Sequence, residues 1–419
     1  MNRANQFIIY DLTPISCSGR KSMFGQKDTK PMQGIWLFIP ALALSVLMAD
    51  CMRATVSPSP EPIVLGAIFS LSGGQAALDV PSSRGARLAV DEINRAGGVL
   101  GRPVQLVVGD AGSAPGPAAD SSAEILKRHP SATALLGLSD TDLVLAAAPV
   151  AAAKGRLFLT SGATSPKLPA QIPGFLFLAC FGDNVQAAAG AEWAYDKLSA
   201  RNVSVLFNSE STYAQLLQGY FRSRFEELGG RVLSIASYTS GKDLGPPISQ
   251  LQTADLIYLA ATPDEVLDVV MALRASGHHA PILGGDGFDA ADLWQAHPEI
   301  SNVFFTTHAY LGEDNDDPKI VAFRRAYTRA YPDAIPDAFA ALGYDAARLL
   351  ITAIRHAGST DPEAVRSALA SIREFDGVTG QLGYPADSRI PLKAVTLLGV
   401  EGGGYKLVQQ LVPAKTPAP

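Results

Sequence analysis

Small polar residues and carboxylates follow several of the short apolar runs in this sequence. The segments 137–142 and 160–165 are rich in hydroxyl groups, and Asp183, Tyr213 and Asp286 follow other apolar runs. Hydroxyl and backbone N–H groups donate to anions, whereas a carboxylate accepts from an ammonium group. These residue types fit a site for a small zwitterion, although Ser, Thr and Asp at such positions also serve as helix caps.

The sequence contains no recognisable catalytic or metal-binding pattern. It has no G-x-S-x-G, P-loop or H-E-x-x-H motif, and its histidines are not spaced as metal ligands. The segment 313–317 is acidic, but counting from Asp314 places Lys319 and Arg325 where an EF-hand has Gly and Glu. We interpret it as a helix N-terminus, where carboxylates meet the positive end of the helix dipole. The sequence therefore predicts a protein that is not an enzyme and that needs no cofactor or metal.

Composition and charge narrow the class of protein further. The chain has 419 residues, which is too long for one compact core, and its 47% hydrophobic and 18% charged residues indicate a globular protein. Its net charge of −6, without a block of Lys and Arg, argues against binding to nucleic acid. Three cysteines are too few for a disulfide framework.

Short apolar runs alternate with amphipathic stretches from Ile63 onward. The alternation predicts strands at 63–69, 104–108, 134–137, 157–160, 203–207, 232–238, 256–260 and 282–284. It predicts helices between them at 82–96, 122–128, 143–153, 185–198, 213–228 and 263–275. Such an order builds parallel sheets covered by helices, and there are too many strands for one small sheet. We therefore predict an α/β protein with two doubly wound lobes, whose ligand lies at the carboxyl ends of the strands.

The pattern changes after Phe304. Three helices are predicted at 317–331, 337–357 and 361–372, and strands at 394–400 and 405–411 form a predicted hairpin across 401–404. The remaining residues, 413–419, are predicted to be a frayed tail.

The N-terminal residues have the layout of an export signal. Residues 34–48 form an uncharged apolar run of 15 residues, preceded by Lys21, Lys27 and Lys30. A membrane-spanning helix needs about 20 apolar residues, so the run is short for a permanent span. Cys51 follows at the position that bacterial lipoproteins acylate, and ordinary cleavage further on is the alternative. We predict a signal segment at 1–50 and an extended tether at 51–62, where Pro and Ser disfavour helix and strand.

From about residue 63 to residue 412, the chain resembles the periplasmic substrate-binding proteins of branched-chain amino acid ABC transporters, the Leu/Ile/Val-binding family. The resemblance rests on the segments 66–73, 85–98, 161–166, 343–346 and 375–380, which occur together and in order. It implies a type I periplasmic-binding fold, in which two Rossmann-like lobes are joined by a three-crossing hinge. The implied first lobe is 63–182 with 308–375, and the implied second lobe is 183–307 with 376–412.

The family resemblance also implies a function. Its members deliver an amino acid or a related small molecule to an ABC permease in the inner membrane, so the implied protein is a periplasmic monomer that binds its ligand in the cleft between the lobes. The alternatives are a ligand-sensing receptor subunit of the same fold and a binder of amides or aromatic acids.

Binding residues carry over from the family by position. Thr141 and Thr164 match residues that hold the ligand carboxylate, and the resemblance implies that the backbone groups of Gly162 and Ala163 bind the ligand beside them. Asp286 matches the acidic residue that binds the ligand ammonium group, and we expect it to select for that group.

Other positions match residues that line the cleft. Asp183 and Tyr213 match an Asp and a Tyr of the family, whereas Thr262 stands where a second tyrosine is found. Leu78 stands near the position of a common aromatic residue, and Asp140 replaces a cysteine that often forms a disulfide. The resemblance therefore implies a preserved head-group site beside an altered side-chain pocket.

Overall fold

The computed structural model describes residues 60–419. The predicted signal segment, Cys51 and most of the predicted tether lie outside these residues. The strands are β1 (Ile63–Phe69), β2 (Val104–Asp110), β3 (Ala134–Gly137), β4 (Phe158–Thr160), β5 (Leu176–Leu178), β6 (Asn202–Asn208), β7 (Arg231–Tyr238), β8 (Leu256–Ala260), β9 (Ile282–Gly284), β10 (Val303–Thr307), β11 (Phe375–Gly377), β12 (Gly380–Leu382), β13 (Val395–Glu401) and β14 (Gly404–Leu411). The helices are α1 (Ala76–Arg95), α2 (Pro115–Arg128), α3 (Thr141–Ala152), α4 (Leu168–Gln171), α5 (Asp183–Asp196), α6 (Thr212–Glu227), α7 (Gly245–Ser249), α8 (Val266–Ala275), α9 (Ala291–Gln295), α10 (Pro318–Ala330), α11 (Ala338–Ala357) and α12 (Pro362–Ser371).

Two sheets organise the described residues. The first has the order β2-β1-β3-β4-β5 and is parallel throughout. The second has the order β14-β13-β10-β9-β8-β6-β7, in which β6 to β10 are parallel and the hairpin β13–β14 adds antiparallel strands. The predicted parallel α/β organisation and the predicted C-terminal hairpin are both present. We call each sheet, with the helices that pack on it, the first lobe and the second lobe.

The central strands of each sheet are buried on both faces, which explains why they are almost wholly apolar in sequence. In β1, Leu65 and Ala67 join one core while Val64 and Ile68 join the core on the opposite face. The second sheet has the same arrangement, with separate cores on its two faces. The helices α10, α11 and α12 contribute to the first lobe even though they follow β6 to β10 of the second sheet in sequence.

The chain therefore passes between the sheets three times, after β5, after β10 and before β13. The predicted lobe boundary between Phe375 and Asp376 falls inside β11, and Leu382 and Tyr384 still pack in the first core. The last crossing thus comes after Tyr384, because the small sheet β11–β12 buries its apolar side chains against the first lobe.

The turn between β11 and β12 is anchored by Asp345 of α11. Its carboxylate accepts hydrogen bonds from the backbone N–H groups of Val378 (2.9 Å) and Thr379 (2.8 Å) and from the Thr379 hydroxyl (2.7 Å). The ammonium group of Lys393, which is buried, in turn donates to that hydroxyl at 2.5 Å. Two of the sequence segments that carry the family resemblance therefore meet just before the third crossing. They are residues 343–346 and 375–380.

Several helices begin earlier than the sequence predicts. Helix α1 begins at Ala76 rather than at residue 82, and Pro81 lies within it. Buried Leu78 and Asp79 hold its first turn, and Asp79 accepts a hydrogen bond from the backbone N–H of Ser70 at 2.7 Å. Helix α2 begins at Pro115, because proline favours the first turn of a helix.

The predicted frayed tail is wrong in this structure. The backbone N–H of Ala414 donates to Glu192 of α5 at 2.8 Å, and Asn184 donates to the carbonyl of Pro417 at 2.8 Å. Lys415 forms an ion pair with Glu227 of α6. Polar contacts with two helices thus hold the tail, which a pattern of apolar residues does not reveal.

Helices α1 and α11 cross at two glycines. A Cβ atom at Gly85 would overlap the carbonyl oxygen of Ala340, and one at Gly343 would overlap that of Ser82. Only glycine permits this close approach of the two backbones, which explains why both residues belong to the segments that carry the family resemblance.

We predict that Gly343→Ala lowers the free energy of unfolding by about 1–3 kcal/mol, because the added methyl group overpacks the crossing. Gly219→Ala in α6 is the matched control, since nothing lies within 4 Å of its added Cβ. The control should instead stabilise by about 0.5–1 kcal/mol through helix propensity. Urea denaturation measures both, and equal effects of the two substitutions would contradict the close crossing.

Candidate ligand-binding site

A small cavity lies where the two lobes meet at the carboxyl ends of their strands. Its volume is about 20 Å³, which is room for roughly one water molecule. Its lining comes from both lobes: Gln75, Leu78, Ser139, Asp140, Tyr213, Thr262, Pro263, Asp286 and Gly287. A direct contact also joins the lobes, because the hydroxyl of Thr212 donates to Asp142 at 2.6 Å. The structure is thus a closed form, and any larger ligand requires the lobes to separate.

Asp286 is the best connected carboxylate in this cleft. It follows β9 and is 3% exposed. Its Oδ1 accepts from Gln186 Nε2 at 2.7 Å and from the Tyr213 hydroxyl at 2.9 Å, while its Oδ2 lies 3.1 Å from His308 Nε2. These groups fix the carboxylate at the edge of the cavity.

His308 contributes to this site as a neutral imidazole. Burial lowers its pKa to about 4, although hydrogen bonding to Asp286 opposes that shift. Because an ionised carboxylate only accepts, we assign the ring proton to Nε2. Phe181 stacks on the ring at a centroid distance of 4.0 Å, and Phe339 meets it edge-on at 5.9 Å. His308 therefore supplies a donor without a positive charge.

Gln186 links Asp286 to a second buried carboxyl group, Asp183. Its amide nitrogen donates to Asp183 Oδ1 at 3.0 Å as well as to Asp286. Its amide oxygen accepts from the Thr306 hydroxyl at 2.9 Å. On the other side, Thr164 of the first lobe donates to Asp183 Oδ1 at 2.7 Å. A hydrogen-bonded chain thus runs from Thr164 to Asp286 across the two lobes.

Burial favours the protonated form of Asp183 at neutral pH. Burial raises its pKa to about 8, and the nearby charge of Asp286 raises it further, while hydrogen bonds from Thr164 and Gln186 oppose the shift. Two carboxylates joined through one amide cannot both be charged without a large cost, so the proton resides on Asp183.

The structure brings together the predicted residues of the second lobe. Asp286, Tyr213 and Thr262 line the cavity, and Asp183 is joined to Asp286 through Gln186. The Thr262 hydroxyl is already used, since it donates to Asp264 at 2.7 Å.

The predicted residues of the first lobe are arranged differently. The backbone N–H of Gly162 donates to Leu138 at 3.2 Å, and that of Ala163 donates to the Thr160 hydroxyl at 3.0 Å. These two N–H groups are therefore engaged inside the loop in the closed form. Thr141, at the start of α3, is buried, and its hydroxyl has no hydrogen-bond partner within residues 60–419.

Sequence reasoning missed Gln186 and His308. Gln186 stands one helical turn after Asp183, and His308 directly follows β10, which was not predicted as a strand. The only sequence signals for them were their positions, near a helix N-terminus and directly after a strand. A single Gln or His at such a position has no spacing to other residues that would identify it as part of a binding site.

The buried carboxyl groups predict a dependence of stability on pH. Asp183 keeps its proton up to about pH 8 in the folded protein but releases it near its ordinary pKa of 3.8 when unfolded. The free energy of unfolding should therefore fall between about pH 4 and pH 8, by up to about 1.4 kcal/mol per pH unit from this group. Asp183→Asn should flatten the decline, as measured by urea denaturation across that range.

Asp268→Asn serves as the control for this experiment, because Asp268 is exposed on α8. It should leave the slope unchanged. An identical slope in the wild type and in Asp183→Asn would show that Asp183 is not the proton carrier.

Known proteins resemble this chain in sequence and in structure. A family model described as "Periplasmic binding protein" matches residues 62–404. A Leu/Ile/Val-binding protein of Rhizobium johnstonii is 25% identical over 345 residues, covering 81% of this chain and 92% of that protein. A similar solved structure is the branched-chain amino acid transporter substrate-binding protein of Streptococcus pneumoniae in complex with isoleucine. It superposes with a TM-score of 0.77 at 27% sequence identity, and the match covers 85% of this chain and 100% of the other.

A solute-binding protein of an ABC transporter from R. palustris, solved in complex with benzoate, has a TM-score of 0.74 at 20% identity and covers 85% of this chain and 98% of that chain. At that identity the likeness concerns the fold alone. Together these structures confirm the predicted type I periplasmic-binding fold. Between residues 60 and 419, no helix has the length and apolar character needed to cross a membrane.

Members of the matched family are extracytoplasmic proteins that bind small molecules and work with ABC permeases. The family model spans most of the described residues, and the fold and the inter-lobe cleft agree with it. The chain belongs to the periplasmic binding protein family.

Proposed function

We propose that this protein is the exported solute-binding component of an ABC importer and binds an α-amino acid, or a related small polar metabolite, in the cleft between its lobes. The observation that carries the proposal is the buried carboxylate of Asp286 at the edge of the cavity. Its partners Gln186, Tyr213 and His308 are all neutral. A buried carboxylate is costly without a charge partner, and a ligand ammonium group would provide one.

The opposite end of a zwitterion requires donors. Thr141 and Ser139 follow β3, and their hydroxyl groups have no hydrogen-bond partners in the described part of the chain. No Lys or Arg is among the described residues that line the cavity. A ligand carboxylate would therefore be held by neutral donors, which supports the predicted role of Thr141.

Closure of the lobes would complete the site. The hydrogen bond between Thr212 and Asp142 and the chain from Thr164 to Asp286 both bridge the lobes. A ligand that contacts both lobes shifts the hinge equilibrium towards a closed form in which the lobes stand far enough apart to hold it between them. The closed form would then dock on the permease.

Export and anchoring follow from the N-terminal sequence. We propose that residues 1–50 direct export and that the protein acts as a monomer. Acylation at Cys51 would tether it to the membrane through the segment 51–62, and ordinary cleavage would release it into the periplasm.

We predict that Asp286→Asn weakens the binding of α-amino acids by about 30-fold or more, because it removes the charge that pairs with the ammonium group. Isothermal titration calorimetry on protein unfolded and refolded to remove any carried-over ligand measures the effect. The exposed Asp268→Asn of the same lobe is the control and should bind as the wild type does.

Two results would contradict this proposal in different ways. Unchanged amino acid affinity in Asp286→Asn would remove the ammonium role from Asp286 while leaving transport intact. Absence of binding to any amino acid, amide or aromatic acid by the wild-type protein would instead reject the proposed solute-binding function.

A further inference from the structure

Two contacts join the lobes on the side of the cleft that lies away from the three crossings. The carboxylate of Asp142, in the first lobe, accepts from the hydroxyl of Thr212 at 2.6 Å and from its backbone N–H at 3.3 Å. Asp264, in the second lobe, packs on the backbone of Gly74 in the first, where an added Cβ atom would lie 2.5 Å from Asp264 Oδ2. We call the pairs Asp142–Thr212 and Asp264–Gly74 the outer contacts.

The contact between Asp142 and Thr212 stabilises the closed form. Thr212 is the first residue of α6, so the carboxylate lies at the N-terminus of a helix of 16 residues and meets the positive end of its dipole. The charge of the acceptor also strengthens the hydrogen bonds. Neither residue is among the described residues that line the cavity. The first lobe therefore holds a helix of the second lobe through a contact outside the ligand site.

The outer contacts lie farther from the hinge than Asp286 does. The chain crosses between the sheets after β5, after β10 and before β13, so the hinge lies beside these strands. In the second sheet, β9 leads to Asp286 and is adjacent to β10, whereas β6 leads to Thr212 and is three strands away from β10. Neighbouring strands are about 4.8 Å apart, so a hinge rotation separates the lobes about three times as far at Thr212 as at Asp286.

A ligand in the cavity and the outer contacts therefore exclude each other. The cavity has a volume of about 20 Å³, and an α-amino acid is several times larger than the single water molecule that fits there. Widening the cleft by about 1 Å at Asp286 moves Thr212 by about 3 Å, which breaks its hydrogen bond to Asp142. Asp183 directly follows the first crossing, so its hydrogen bond from Thr164 is much less affected by the same rotation.

We infer that the outer contacts hold the lobes in an arrangement that competes with ligand binding, so that Asp142 lowers the affinity for the ligand. This inference rests on the proposed function, because it takes an α-amino acid in the cleft as the ligand. A protein whose binding-competent arrangement is only partly populated binds its ligand more weakly, in proportion to that fraction. Asp142 is then a positioning residue, which acts on the affinity through the hinge equilibrium.

Two variants weaken the outer contacts in different ways. Asp142→Ala removes the carboxylate that binds Thr212, and Gly74→Ala adds a methyl group that would lie 2.7 Å from Asp264 Cγ. We expect each variant to bind L-alanine and L-leucine about threefold or more tightly than the wild type. Calorimetry on protein unfolded and refolded to remove carried-over ligand measures the affinities. Asp120→Ala, on the exposed surface of α2 in the first lobe, is the control and should bind as the wild type does.

Small-angle X-ray scattering gives a readout of the hinge that does not depend on affinity. We expect the refolded wild-type protein, before any amino acid is added, to have the radius of gyration of the closed form. Addition of L-alanine or L-leucine should leave that radius unchanged or increase it slightly. Contraction of the wild type on addition of either amino acid would overturn the inference, because the lobes would then stand apart until the ligand brings them together.

The outcomes separate this inference from the proposed function. Amino acid binding that is unchanged or weaker in both Asp142→Ala and Gly74→Ala would overturn the inference and leave the proposed function standing. Tighter binding in both variants, with wild-type affinity in Asp120→Ala, would support it. Failure of the wild type and of both variants to bind any amino acid would overturn the inference together with the proposed function.

Discussion

The cost of burying carboxyl groups between two lobes governs the organisation of this protein. Asp286 remains in the cleft because Gln186, Tyr213 and His308 direct hydrogen bonds at it. Asp183 remains because it carries a proton and accepts hydrogen bonds from Thr164 and Gln186. These partners come from separate segments, so the two sheets must be held in a fixed relation for the network to exist. The fold positions the network, and the network in turn stabilises the closed arrangement.

Rigid packing at the base of the first lobe supports this arrangement. The glycines at the crossing of α1 and α11 bring the two backbones together, and Asp345 of α11 fixes the turn that precedes the last crossing. Helix α1 also carries Leu78 and Asp79 at its cleft end. One helix thus joins the crossing with α11 to the lining of the cavity, which includes Leu78.

The architecture was predictable because burial on both faces of a parallel sheet leaves a strong apolar pattern. The strands β1, β3, β8 and β9 were predicted with their observed bounds. The first residues of the helices were harder to predict. Pro81 resembles a helix breaker, but α1 begins before it, where Leu78 and Asp79 are buried.

The candidate site was only partly predictable. Family resemblance indicated Asp286, Tyr213 and Thr262, which line the cavity. It did not indicate Gln186 or His308, because their roles depend on contacts between segments distant in sequence. The engaged N–H groups of Gly162 and Ala163 likewise follow from loop geometry, which residue types do not specify.

The shared amide of Gln186 has a consequence for the energetics of uptake. The negative charge of Asp286 is one reason that Asp183 holds its proton near neutral pH. In the proposed complex, a bound ammonium group offsets that charge, so the pKa of Asp183 falls and part of its proton leaves to the solvent. Ligand capture is then coupled to proton release, and by linkage an acidic medium weakens the capture. Acidification of the surrounding medium would therefore reduce the fraction of this protein that carries ligand.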